Sequence, residues 1–572
     1  MRPLDAAVLV ATLVAFVAYG LWRSRGTRDL PAYLVAGRQL RWPVIALSVM
    51  ATQASAVTFL ATPGQGYAGG LSFVQFYFGL PIAMVVLCVT AVPLYQKLRV
   101  STAYEFLEAR FDGRTRTLAA ALFLLQRGLS AGITLFAPSL VLSVVLGWPL
   151  GGTIALLGLL TVGVIAVGGS RAIGPTQALQ FTVILGAMAA AFVLALRALP
   201  QSLAPADALA VAGHFGRLNA VDTHFDPRGR YNLWAGLVGG LFLQLAYFGT
   251  DQSQVGRYIS ARSITASRLG LLVNGLVKVP MQFAILLLGV LVFVVYQFTP
   301  SPLAFDPSSA ALARGGPHAA EWRALEAAHA RAGSERAARL ADWLAARREG
   351  PAAARVAARA LDAAQARDAA LRDSASVLIR ATRAGANTND TNYVFLHFVR
   401  TRLPAGLVGL VLAAILAAAM NTIASEIHAL TGTTVVDVLA RIPGLVRGPA
   451  QELRWSRVAS LVWVAFAVGF GQMAGRSGSL VETVNVLGSL FYGTILGIFL
   501  CAFFVRHAGG TAVCMAALAA EAAVVTCWRL DLVGWLWFNV VGCLVTVVLA
   551  ALLAALVPAW RARARARVPR AA

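Results

Sequence analysis

ALSVMATQASAVTFLATPGQGY, residues 46–67, is long and apolar enough to cross a bilayer, yet small and hydroxyl-bearing residues interrupt it midway. In hydrocarbon, a backbone amide or carbonyl released from a helix costs several kcal/mol unless it finds a partner. A break is therefore tolerated only where it lines a site buried in protein or a watery cavity. Freed carbonyls then face a cation and freed amides an anionic group. An uninterrupted span anchors; this one implies passage of a solute or ion.

Working outward, composition sets the class. Of 572 residues, 58% are hydrophobic and only 13% charged, and the mean hydropathy is +0.71, which excludes a soluble multidomain chain. The chain reads as an all-α polytopic membrane protein. Its formal charge of +23 invites a nucleic-acid reading. The arginines, however, mostly sit in short loops between apolar runs, where topology rules place them. Five cysteines (Cys88, Cys501, Cys514, Cys527, Cys543) lie inside apolar runs without metal-ligand spacing, so neither a disulfide framework nor a zinc site is expected.

Apolar runs of about 20 residues give about thirteen spans: 4–22, 42–67, 71–96, 117–147, 149–168, 174–199, 231–250, 268–297, 404–434, 456–473, 480–505, 509–528 and 532–557. The first is too long for a removable signal peptide and lacks a small-residue cleavage site. Loops after odd-numbered spans hold Arg23, Arg25, Arg38, Lys97, Arg99, Arg114, Arg171, Arg257, Arg262, Arg441, Arg447 and Arg506, and the tail adds Arg561, Arg563, Arg565 and Arg567. Opposite short loops are nearly free of basic residues, so the N-terminus is expected outside and the C-terminus inside. The tail can also touch anionic lipid.

One segment differs. Residues 301–392 are rich in Ala, Arg and Glu, with Trp322, Leu325, Leu340, Trp343 and Leu344 at helical spacing. They read as a soluble helical insertion on the outer side, either a lid or partner-docking hairpin or a surface elaboration. The expected organisation is a first helix and inner loop (1–41), a membrane unit (42–199), an outer loop (200–230), the start of a second membrane unit (231–300), the insertion (301–392), the rest of that unit (393–507), and two last helices with a basic tail (508–572).

Four strings then occur in order: YLVAGRQLRWPVIALSVMATQASAVTFLATPGQGY, GGSRAIGPTQALQ, YFGTDQSQVGRYIS and LAAILAAAMNTIASEIHALTGTTVVD. Together they resemble the sodium:solute symporter family, in the same order and spacing, from Tyr33 to His507 apart from the insertion. The resemblance implies a leucine-transporter-type architecture of two inverted five-helix repeats, spans two to six and seven to eleven, each opened by a broken helix. The sequence itself offers a second break at Phe248, Gly249 and Thr250, before Asp251. The implied setting is the inner membrane of a bacterium.

A sodium ion is small and hard and takes oxygen ligands. The resemblance carries its site, for a co-transported sodium ion, onto the carbonyls of Ala51 and Ala54 and onto Ala418, Asn421 and Thr422. Spacings of three and four put those last positions on one helix face. The family usually has hydroxyl residues at both final positions, whereas here the first is Asn421, and a plain interhelical hydrogen-bond role stays open. The family also commonly has an acidic residue where this chain has Gln177. Losing that carboxylate removes a fixed negative charge from a low-dielectric path, so a second sodium site is not expected. Glu426, the only acid within span nine, either compensates or pairs with His428 or a neighbouring basic residue. If it titrates near neutrality, proton coupling follows.

The resemblance places solute-binding positions at Thr58, Tyr77, Leu80, Gln244, Lys278 and Val484, with an aromatic inner gate at Tyr247. Tyr77 and Leu80 stand where the family's sugar binders have an acid and a hydroxyl, so a hexose fits poorly. SAVTFLATPGQGY is closer to the monocarboxylate, multivitamin and iodide branch. Lys278 is costly at depth unless it meets a counter-charge, which a solute carboxylate would supply; internal pairing or snorkelling is the alternative.

The expectation is therefore sodium-coupled symport of a small organic anion by alternating access. The alternatives are proton-coupled or uncoupled transport, or a transporter-like sensor. No nucleophile motif or convergent His, Cys or carboxylate set suggests an enzyme, and no pore-lining repeat a channel. Expected partners are a small solute and the lipid bilayer, with no nucleic acid and no obligatory protein partner.

Overall fold

The computed structural model describes residues 2–24, 39–53, 55–201, 203–383, 386–446, 448–473 and 479–561, with the backbone alone for residues 17, 20, 21, 23, 24, 162–175 and 449. Ala54, Arg25, Arg38, Arg447 and the tail arginines Arg563, Arg565 and Arg567 lie outside the described residues, as do the side chains of Arg23 and Arg171.

Among the described residues the regular structure is helical, and β-pairing is limited to two isolated bridges. The helices used below are α1 (Pro3–Ser24), α2 (Trp42–Gln53), α3 (Ala56–Gly69), α4 (Ser72–Leu98), α5 (Gly113–Leu146), α6 (Leu150–Arg197), α7 (Pro205–His214), α8 (Ala235–Gly249) and α9 (Gln252–Tyr258). They continue with α10 (Ile264–Phe298), α11 (Ala319–Glu349), α12 (Pro351–Thr382), α13 (Thr391–Arg402), α14 (Leu407–Thr433), α15 (Pro449–Gly471), α16 (Leu480–Phe504), α17 (Gly510–Arg529) and α18 (Trp537–Leu556).

Nine of the described helices are long and apolar enough to cross a membrane, and the bent pair α2 and α3 makes a tenth. The three other expected spans fall on shorter apolar stretches, Pro3–Phe16, Leu150–Thr161 and Ala235–Gly249. One expectation changes: 149–168 and 174–199 share one continuous helical backbone, α6. The Gly-Gly and Gly-Pro pairs between them do not end the helix, although glycine and proline are the usual punctuation.

Helix α14 is the hub. In its most apolar window 83% is buried within the protein, against 28% for α15 and 33% for α17 and α18, which therefore form the periphery. It packs on α1, α5, α6 and α15 and on both halves of the broken span. Glycine permits the tightest crossing: a Cβ at Gly64 would collide with the Thr391 carbonyl, and one at Gly289 with that of Pro63, so α3 lies directly against α13 and α10.

The insertion is a helical hairpin, α11 on α12. Trp322, Leu340 and Trp343 are buried and Leu325 and Leu344 are half-buried, as the spacing predicted. Within it Asp368 binds Arg336, which also donates to the Tyr296 carbonyl at the end of α10 (2.8 Å). His214 of α7 contacts Asp362 at 2.8 Å. The hairpin thus rests on the membrane helices through polar contacts at its base and its side.

Candidate cation and solute site

Two helix breaks organise the site. The first separates α2 from α3, whose axes differ by 61°. Ser55 opens α3 in extended conformation, and its carbonyl accepts from Thr58 (2.9 Å) and Phe59 (3.3 Å). A helix ending at Gln53 leaves the carbonyls of its last turn, Ala51 among them, without intrahelical partners. The second break lies where the sequence suggested it, after Gly249. Asp251 caps α9 by accepting from the Ser253 amide (2.9 Å), which fixes its side chain at the break. Three carbonyls there are taken by tyrosine hydroxyls: Phe248 by Tyr258 (3.0 Å), Gly249 by Tyr95 (2.9 Å) and Thr250 by Tyr104 (2.9 Å).

At the first break the facing helix is α14. Thr422 donates to the Ala418 carbonyl at 3.1 Å and lies 3.5 Å from that of Thr52. Ala51, Ala418, Asn421 and Thr422 are all buried. The Asn421 side-chain nitrogen has no hydrogen-bond partner. Gln177, the neutral replacement, ties the seam together. Its oxygen accepts from Ser48 of α2 (2.6 Å), and its nitrogen donates to Ser425 (2.7 Å) and to the Asn421 carbonyl (3.2 Å). The amide that costs the seam a charge thus pins α2 and α14 to α6.

Beside the breaks lies a cavity open on one side. Thr58, Tyr77, Gln244, Tyr247 and Val484 all line it. Leu80 and Lys278 do not. Lys278 is fully buried behind the wall, its Nζ without a hydrogen-bond partner and 5.6 Å from the centre of the Tyr77 ring. It neither pairs with an acid nor snorkels to an interface.

The sequence reading missed Arg127. This α5 residue lines the cavity, donates to Glu426 (2.9 Å) and to the Tyr492 hydroxyl (2.6 Å), and pairs with Asp251. Tyr492 in turn donates to Asp251 at 2.9 Å. Arg127 also sits 5.5 Å from the Tyr247 ring, whose hydroxyl accepts from Gln254 at 2.6 Å. Glu426 therefore pairs across the bundle with a residue of span four, not with His428 or another neighbour in sequence. The signal was present, since an ionisable residue within an apolar span marks a functional position by default. What the chain order hides is that α5, the α8–α9 break, α14 and α16 meet there.

These features match known proteins. The sodium:solute symporter family model matches residues 33–317 and 370–520. The chain belongs to the sodium:solute symporter family. Human sodium/iodide cotransporter is 29% identical over 295 residues, covering 51% of this chain and 45% of that protein. Human sodium-coupled monocarboxylate transporter 1 is 31% identical over 273 residues, 47% of this chain and 44% of its own length. The rabbit sodium-dependent multivitamin transporter is 30% identical over 312 residues, 52% and 46%. The chain thus spans a little under half the length of these curated relatives, all of them transporters. A substrate-bound, outward-open Na⁺-coupled sialic acid symporter superposes with a TM-score of 0.74 at 20% identity, covering 97% of this chain and 98% of that one. The fold is accordingly of the leucine-transporter type, and the protein is integral to a membrane.

Proposed function

We propose that this symporter-family protein moves a small organic anion, with a monocarboxylate the best match, together with sodium across the inner membrane of a bacterium, its N-terminus outside and its C-terminus inside. One observation carries the reading: Thr58, Tyr77, Gln244 and Tyr247 converge on a cavity with the cation Arg127 in its wall, directly beside a helix break. Thr58 and Gln244 offer hydrogen bonds to a carboxylate or hydroxyl, and Tyr77 and Tyr247 cover an apolar body. Lys278 adds positive potential from behind Tyr77.

Charge balance supports the class. Around the cavity Arg127 and Lys278 offset Asp251 and Glu426. With those four groups ionised the pocket is neutral when empty and stays neutral when one sodium ion and one monoanion enter together. In a low-dielectric interior an unbalanced charge is strongly unfavourable, so each ligand stabilises the other and the coupling is reciprocal. Sodium would draw Ala51 and Ala54 of the broken span toward Ala418, Asn421 and Thr422 of α14, preorganising Thr58 in the half-helix that follows the break. Release inward would require Tyr247 to part from Gln254 and the Arg127 cluster to shift as α8, α9 and α14 move. A division into inverted repeats, 42–199 and 231–507, the second interrupted by the 301–392 hairpin, suits that rocking motion.

A proton-coupled reading has its own support in Glu426, whose Oε2 is buried without a partner. Uptake into proteoliposomes separates the two. A panel of carboxylates, sugars and amino acids is offered with a sodium gradient, with a proton gradient, and with neither. Carboxylate accumulation that needs the sodium gradient is expected; accumulation that follows protons and ignores sodium removes the coupling proposal, and sugar uptake removes the anion.

A further inference from the structure

Helix α17 is apolar and peripheral, yet near its middle it carries one acid, Glu521. Both carboxylate oxygens are buried and neither has a hydrogen-bond partner. The group they face is the buried Thr494 hydroxyl of α16, the donor nearest to the carboxylate although no bond within hydrogen-bond distance is formed. Among the described residues no cation neighbours it. Helix α18, which packs along α17, has no charged residue, and the only one on α16 is Glu482 in its first turn. Helix α5 meets α17 at the far end, where Thr115 touches Cys514 at 3.5 Å.

The place is closely built. A Cβ at Gly542 would lie 3.1 Å from the Thr494 hydroxyl oxygen, so only glycine lets α18 approach that point. One turn earlier on α18, Asn539 donates to Ser489 of α16 at 3.0 Å and leaves its own Oδ1 buried and unpaired. The seam between α16, α17 and α18 thus offers an acid at membrane depth oxygen atoms and the Thr494 hydroxyl, and no described cation. An ionised carboxylate there is strongly disfavoured unless something neutralises it.

We propose that Glu521, with Thr494, is a site for a small monovalent cation, a proton or a sodium ion, separate from the seam of Thr422. All-oxygen ligation suits either. The site also has a route to the transport machinery. Thr494 lies two residues beyond Tyr492, hence on nearly the opposite face of α16. The front of that helix lines the solute cavity with Val481, Val484, Asn485 and Tyr492. A cation at Glu521 sets the packing at its back.

The test uses the whole protein in lipid. N,N′-dicyclohexylcarbodiimide is lipid-soluble and attacks protonated carboxyls, and peptide mass spectrometry reads whether Glu521 is modified. Modification that rises as pH falls, and is indifferent to sodium, identifies a bound proton. Modification suppressed by sodium but not by choline identifies a sodium ion. Glu521→Gln serves as the unmodified control. A Glu521 that resists the reagent in acid, sodium-free buffer, or reacts equally under every condition, overturns the proposal. The readout is chemical, so it stands or falls independently of any uptake measurement.

Discussion

The two broken helices solve the same problem in opposite ways. At the second break three tyrosine hydroxyls close the freed carbonyls of Phe248, Gly249 and Thr250, while Asp251 joins Arg127, Glu426 and Tyr492 in a charged cluster. At the first break the partners are neutral side chains, Ser48, Gln177, Asn421, Thr422 and Ser425, and the one contact to a carbonyl of α2's last turn from the facing helix is a long one from Thr422. A closed break with fixed charges is a joint; an uncharged break with carbonyls to spare has room for a cation. Gln177 is neutral, and the acids Asp251 and Glu426 are held instead by Arg127.

The comparison breaks most severely at Arg127. Removing one partner of a buried ion cluster leaves the others uncompensated, typically at about 3–5 kcal/mol. Arg127→Ala is expected to lower thermal stability on that scale and abolish uptake. Adding Glu426→Gln should restore part of the stability. If Arg127→Ala unfolds no more easily than wild type, the cluster is not the joint described here.

Next come the tyrosines. Tyr104→Phe and Tyr258→Phe each strand a buried carbonyl, at about 1–3 kcal/mol. Both should melt earlier while the sodium concentration for half-maximal uptake stays at the wild-type value. A changed sodium requirement would place a cation at the second break and erase the contrast.

Thr422→Ala probes the first break in reverse. Loss of one oxygen ligand is expected to weaken sodium about tenfold, about 1.4 kcal/mol, with little change in melting, because the hydroxyl's present bonds are long. An unaltered sodium requirement in uptake assays removes Thr422 from the cation set.

Much of this was legible in the chain. Helical class and both breaks follow from local patterns, while the positions Thr58, Tyr77, Gln244 and Tyr247, which line one cavity, came from the family resemblance. The turn within α6 was misjudged because Gly-Gly and Gly-Pro bias a backbone without dictating it. The Arg127 cluster was illegible for a different reason. Its members come from four helices spread over 366 residues, from Arg127 to Tyr492, and sequence spacing reports faces of one helix, not meetings between helices. Glu426 illustrates the limit: its nearest basic neighbours in sequence were the natural partners, and the structure chose one 299 positions away.

Lys278 offers the finest test, because it belongs to neither break. Its ammonium is buried behind Tyr77, outside the cavity lining, so it acts on a solute anion through the ring and through space. Lys278→Met keeps the bulk and removes the charge. The half-saturating concentration of the carboxylate should rise about threefold, under 1 kcal/mol, and thermal stability should increase because an unpaired buried cation is gone. A direct ligand behaves otherwise. If the methionine variant loses affinity more than about tenfold and gains no stability, Lys278 reaches the solute itself, and the charge that selects the anion lies on α10 rather than at the second break.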